Sequence, residues 1–140
     1  RCSPMQVERY RDRISGPLLD RIDIQVEVPA MPPPTLSAEA DGEPSAVIGE
    51  RVARAFGIQL ARQGKPNEAL TTHEVDGYCG LDAQGTEVLR VAMQRLHWSA
   101  RAYHRVLKVA RTIADLAHEE RVSAGHVAEA IQFRRGLRER

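Results

Sequence analysis

Three cations share one side of a single segment, residues 99–116: Arg101, Arg105 and Lys108. On a helix they fall within about 60° of one another. The other side carries an unbroken apolar stripe, Tyr103, Val106, Leu107, Ala110, Ile113, Ala114 and Ala117. Arg111 lies at the edge of the cationic group. Ser99 suits an N-cap, which puts Arg101 in the first turn. There the helix macrodipole is already positive, and a cation costs about a few tenths of a kcal/mol. The chemistry such an arrangement could do is anion binding. The Arg101 guanidinium and the free N–H groups of the helix start would close together on a phosphate. The other reading is a solvated charged face, with Arg111 paired to Asp115 one turn on.

Arg21 is the second candidate. It follows Leu18-Leu19-Asp20 and precedes an alternating segment. An arginine on the lip of a sheet can reach across a subunit interface and stabilise a phosphoryl-transfer transition state. The alternative is an ion pair with Asp20 or Asp23. The five histidines, at 73, 97, 104, 118 and 126, have no metal-ligand spacing. Cys2 and Cys79 form neither a disulfide framework nor a metal motif, and they suit a reducing compartment. Cys79 beside Tyr78 reads as a small buried residue. The chain contains no Gly-x-Ser-x-Gly elbow and no Gly-x-x-x-x-Gly-Lys loop. Alone, it does not bind a nucleoside triphosphate in the usual way.

The elements that must position these residues are mostly helices. Ser3-Pro4 starts a short helix to about Arg13. Ile22, Ile24, Val26 and Val28 alternate with Asp23, Gln25 and Glu27, which predicts a half-buried strand over 22–28. Residues 29–44 hold five of the eight prolines and read as a linker. Beyond it Ser45, Thr72, Asp82, Ser99 and Ser123 each suit a helix start, and Gly64 a helix stop. Inward positions are Val88, Leu89, Ala92, Met93 and Leu96 in the third of these helices, and Val127, Ala128 and Ile131 in the last. The fold class is mainly α, a small helical bundle preceded by a short helix-strand segment.

Composition narrows the function classes. The 140 residues carry 20 basic and 19 acidic groups, a net charge of +1, and 18 of the basic residues are arginine. That balance argues against a protein that coats nucleic acid. No apolar run is long enough to span a membrane. Residues 1–4 show neither an initiator Met nor a signal-peptide pattern, so the chain is expected to be part of a longer one.

Three stretches together carry a resemblance: Arg13-Ile14-Ser15-Gly16-Pro17-Leu18-Leu19-Asp20-Arg21-Ile22-Asp23 with Val26-Glu27-Val28-Pro29; residues 99–116; and His126-Val127-Ala128-Glu129-Ala130-Ile131-Gln132-Phe133-Arg134. In order and spacing they resemble the C-terminal part of magnesium-chelatase-like AAA+ ATPases, in the ComM/YifB competence family. The resemblance implies a division into residues 1–28 as an edge of the ATPase core, 29–44 as linker and 45–140 as the AAA+ lid domain. The strand would then belong to a sheet that lies outside this chain. The resemblance further implies a cytoplasmic, bacterial, ATP-driven homohexamer acting on DNA, similar to a helicase that promotes branch migration in natural transformation. ATP and Mg2+ would be its cofactors in the full-length protein. This chain, lacking the Walker A and B segments, would be inactive alone and would carry no cofactor. Arg21 falls on the arginine-finger position, acting in trans on the neighbouring subunit's nucleotide. Arg101 falls on the sensor-2 position at the start of a lid helix. Arg105 stays open between a second nucleotide contact, a DNA contact and solvation, as does Arg111. Cys2 resembles the last cysteine of a Cys-rich insert and would bind metal only with upstream partners. The alternative to all of this is a free-standing helical module that binds DNA or another protein.

Overall fold

Helix starts in this chain are set by side chains that take up otherwise unbonded N–H groups. A computed structural model describes Ser3, Met5, Gln6, Arg9, Leu18 and residues 21–29 and 42–135. Within them run α1 (Ser45–Gln63), a 3-10 turn (Asn67–Ala69), α2 (Thr72–Tyr78), α3 (Ala83–Arg95), α4 (Ala100–Leu116) and α5 (Ala124–Arg135). Asp82 accepts the Gly85 N–H at 2.6 Å, and Ser99 accepts that of Ala102 at 3.3 Å. Two starts lie one residue before the expected cap. Pro44 precedes α1 and offers no side-chain cap bond. Thr71 caps α2 in a reciprocal box, its hydroxyl accepting from the Glu74 N–H while the Glu74 carboxylate accepts the Thr71 N–H at 2.8 Å. Gly64 ends α1 at φ 72°, a left-handed conformation that glycine adopts without steric cost.

The middle of the bundle is α4, which packs against α5, α1, α2 and the 3-10 turn, while α3 packs on α5. Val75, Leu89, Ala102, Val106, Ala114 and Val127 form the centre of one apolar core. The approach of α3 to α5 is close. A Cβ on Gly85 would stand 3.1 Å from the Asp82 carboxylate and 3.7 Å from the Ala124 nitrogen. The loops ahead of α3 and α5 meet in one parallel bridge, Leu81 to Val122.

Four expectations need correction or restriction. Among the described residues there is no strand: 22–28 is irregular, and Ile22, Ile24, Val26 and Val28 are exposed while Gln25 is half-buried. A ladder needs a partner strand, and the described residues offer none. On α4 the stripe stops short of Ala117, which is exposed, and the buried side includes Arg111 and Asp115. On α5 the inward alanine is Ala130 rather than Ala128. Of the expected N-terminal helix Ser3, Met5, Gln6 and Arg9 are described, the Ser3 hydroxyl accepting the Gln6 N–H at 3.4 Å and the other three in helical conformation. The remainder of that helix, Cys2 and most of the expected linker lie outside the described residues.

Candidate functional site

One side of α4, the 3-10 turn, Asp23 and Ile24, and Glu129 and Phe133 of α5 line an open groove of about 730 Å3. Arg101, Arg105 and Lys108 line it, as the helical spacing requires, but their circumstances differ. Arg101 is exposed and has no ion-pair partner among the described residues. It stands in the first turn of α4 beside the Ser99 cap. Arg105 is paired with Asp23, a residue 82 positions earlier in the chain. Lys108 donates to the carbonyls of Glu68 at 2.9 Å and Leu70 at 2.6 Å, so its charge closes the end of the 3-10 turn.

Arg111 does not belong to this face. It is 2% exposed. Its Nε donates to Asp115 at 3.1 Å, and its two terminal nitrogens donate to the carbonyls of Glu120 at 2.7 Å and Glu119 at 2.6 Å. The expected i,i+4 pair with Asp115 is therefore present, but buried instead of solvated. Asp115 is fully buried and also accepts from Arg62 at 2.6 and 3.0 Å and from Asn67 at 2.9 Å. Asn67 in turn donates to Thr112 and accepts from Arg62 and Gln63. This cluster ties α1 and the 3-10 turn to α4. Burial pushes the Asp115 carboxyl up, but the hydrogen bonds from Arg62 and Asn67 and the Arg111 charge outweigh it and hold the group below the usual carboxylate range.

Residues 21–29 lie along the bundle. Besides the Asp23–Arg105 pair, the Gln25 N–H donates to the Phe133 carbonyl at 2.7 Å, and Arg134 donates to the Ile22 carbonyl at 3.0 Å. The Arg134 guanidinium sits 5.8 Å from the Trp98 ring centroid, a cation–π contact. Arg21 is exposed, its N–H bonded to the Leu18 carbonyl at 3.0 Å. It has no ion pair among the described residues, and Asp23, offered above as its partner, is engaged by Arg105. Sequence reasoning missed the roles of Asp23, Arg62 and Arg134. Their partners lie 82, 53 and 112 residues away, beyond the reach of any local pattern.

Elsewhere the polar chemistry is structural. Cys79 is fully buried, and desolvation pushes its thiol up to about 11, so it stays protonated. The Glu74 carboxyl is held down to about 2, first by the hydrogen bond from Lys65 and then by those from Thr71. Among the described residues no group of three or more His, Cys, Asp or Glu side chains is placed to hold a metal ion. No described helix is long and apolar enough to cross a membrane.

The family described as Magnesium chelatase, subunit ChlI C-terminal, matches residues 42–134, and Magnesium chelatase, subunit ChlI, matches residues 1–36. Competence protein ComM of Haemophilus influenzae is 44% identical over 139 residues, which is 99% of this chain. The YifB proteins of Salmonella typhimurium and Escherichia coli are 43% and 41% identical over 135 residues, 96% of the chain. In each case the chain spans only 27% of the relative's length. A helical bundle organised on α4, matched over nearly all of its residues, places the chain in the magnesium chelatase ChlI C-terminal family, together with the ComM and YifB proteins that it resembles.

Proposed function

We propose that residues 45–140 act as the lid of a hexameric, magnesium-chelatase-like AAA+ ATPase and that residues 1–28 belong to the edge of its ATPase core, joined to the lid by 29–44. Arg101 contacts a phosphate of the bound nucleotide from the start of α4. Arg21 is the arginine finger that reaches the neighbouring subunit's nucleotide. The observation that carries this reading is the state of Arg101: an exposed cation without an ion pair among the described residues, held at a helix N-terminus where only an anion offsets its position. ATP with Mg2+ fits that reading in a limited sense. The chain offers cations for phosphate oxygens but no phosphate loop, so it contributes to a site completed by other parts of the full-length protein. There Arg21 and Arg101 neutralise charge and fix geometry, with no covalent step of their own.

The full-length protein would be a cytoplasmic bacterial motor working on DNA, as its likeness to a competence protein suggests. A free-standing DNA-binding face on α4 is less well supported. Arg105 is paired with Asp23 and Lys108 with backbone carbonyls, which leaves Arg101 alone of the three. The test is ATP turnover by full-length Arg21→Ala and Arg101→Ala variants. The expected losses are roughly a thousandfold or more for the finger and about a hundredfold for Arg101, with the bundle still folded. Mixing Arg21→Ala subunits with subunits lacking the phosphate-loop lysine should restore some turnover if the finger acts in trans. Wild-type turnover by the Arg21→Ala hexamer would sink the assignment.

A further inference from the structure

Residues 22–25 are fastened to the bundle by contacts that its apolar core does not require. Two run to α5, from the Gln25 N–H to the Phe133 carbonyl and from Arg134 to the Ile22 carbonyl. The third runs to α4, the ion pair between Asp23 and Arg105. Arg105 stands one helical turn after Arg101, on the same side of α4. Asp23 stands two residues after Arg21. One turn of helix, one ion pair and two residues of chain therefore join the two cations assigned above to nucleotide phosphates.

We propose that Asp23 and Arg105 are a positioning pair that couples nucleotide contact at Arg101 to the placement of the Arg21 finger. This rests on the roles proposed above for Arg21 and Arg101. An anion held at Arg101 brings negative charge to within about a turn of Arg105 and competes with Asp23 for the Arg105 guanidinium. Occupancy of one site then alters how the segment bearing Arg21 is held. The exposure of the pair suits that task. Its side chains are 29% and 50% exposed, so the pair is weak on its own and can part and re-form without disturbing the core. The two contacts to α5 keep the segment in register while the contact to α4 changes. Neither Asp23 nor Arg105 needs to touch the reacting atoms.

The test uses the full-length protein with Asp23→Asn, Arg105→Gln, the conservative Asp23→Glu and the reversed pair Asp23→Arg with Arg105→Asp. Each neutral single variant should lower kcat by about fivefold or more and reduce the Hill coefficient for ATP, with KM moved by less than about twofold, as expected when coupling between sites is lost rather than binding. Asp23→Glu and the reversed pair should recover both quantities. In the same samples the Gln25 amide should exchange with solvent faster in Arg105→Gln than in wild type, since its bond to Phe133 is no longer backed by the pair. Wild-type kcat and Hill coefficient in both neutral variants would overturn the proposal. So would a rise in KM confined to Arg105→Gln, which would make Arg105 a direct nucleotide contact. If Asp23→Asn is normal while Arg21→Ala and Arg101→Ala are crippled, only the coupling fails. If those two alanine variants are themselves normal, the reading beneath it fails as well.

Discussion

The two ends of α4 hold arginines in opposite states. Near its start Arg101 is exposed and has no ion pair among the described residues. Near its end Arg111 is buried, and each of its three guanidinium nitrogens donates to a carboxylate or carbonyl of the same chain. The same side chain on the same helix thus serves two purposes. A buried guanidinium with each nitrogen engaged within the fold has little left for a ligand and acts on stability. One whose donors are open gains little from the fold and is available to an outside anion. Arg105 lies between these states, held by a half-exposed pair that can open.

The contrast is sharpest in the largest expected stability effect. Arg111→Ala removes one charge from a buried cluster and leaves the carbonyls of Glu119 and Glu120 without their donor. Breaking a buried pair from one side costs about 3–5 kcal/mol. For a domain of this size each kcal/mol lowers the melting midpoint by roughly 4–8 °C. Arg101→Ala, an exposed substitution, should stay within about 0.5 kcal/mol of wild type. Thermal melts of both variants check this. Equal melting losses would break the comparison and make Arg101 another structural arginine.

How much of this was legible beforehand differs by region. Asp82, Ser99 and Gly64 announced their helix ends because capping is local chemistry. The α2 start was displaced by one residue, although the signal was there: Thr71 is followed three positions later by Glu74, the reciprocal box that the structure contains. The strand over 22–28 failed for a different reason. Alternation shows that one side of a segment could be buried, but not that a neighbour exists to pair with it. Here Gln25, on the polar side of the pattern, is the half-buried residue. The α4 stripe was correct in its apolar members except Ala117, and it did not show that Arg111 and Asp115 are buried, because a charged side chain goes inside only when distant partners such as Arg62 and Asn67 meet it there. For Arg21 and Arg101 local pattern raised the phosphate-binding readings beside their alternatives, and family likeness chose between them.

Acid titration sharpens the buried side of the comparison. Asp115 and Glu74 both hold their protons less tightly in the folded chain than usual, Glu74 down to about 2. A carboxyl lowered in the folded state contributes stability that is complete above its unfolded value, about 4. That contribution is lost as pH falls through the folded value. The melting midpoint should therefore decline between about pH 4.5 and 2. Glu74→Gln should begin lower at neutral pH and decline less steeply over that window. A slope unchanged by Glu74→Gln would show that its bonds to Lys65 and Thr71 contribute nothing in solution.

The smallest expected effect decides what Lys108 is. It shares the outer side of α4 with Arg101, and on helical position alone the two would do the same work. Its ammonium, however, donates to the carbonyls of Glu68 and Leu70. Lys108→Ala should therefore cost about 1–2 kcal/mol, the worth of hydrogen bonds from a charged donor that is partly open to solvent. The loss should appear as faster amide exchange around the 3-10 turn, with ATP turnover in the full-length protein nearly unchanged. The opposite outcome, full stability with turnover reduced as far as in Arg101→Ala, would place Lys108 with the ligand-facing cations. It would also mean that internal hydrogen bonds do not separate structural cations from functional ones on this helix. The distinction drawn between Arg101 and Arg111 would then rest on burial alone.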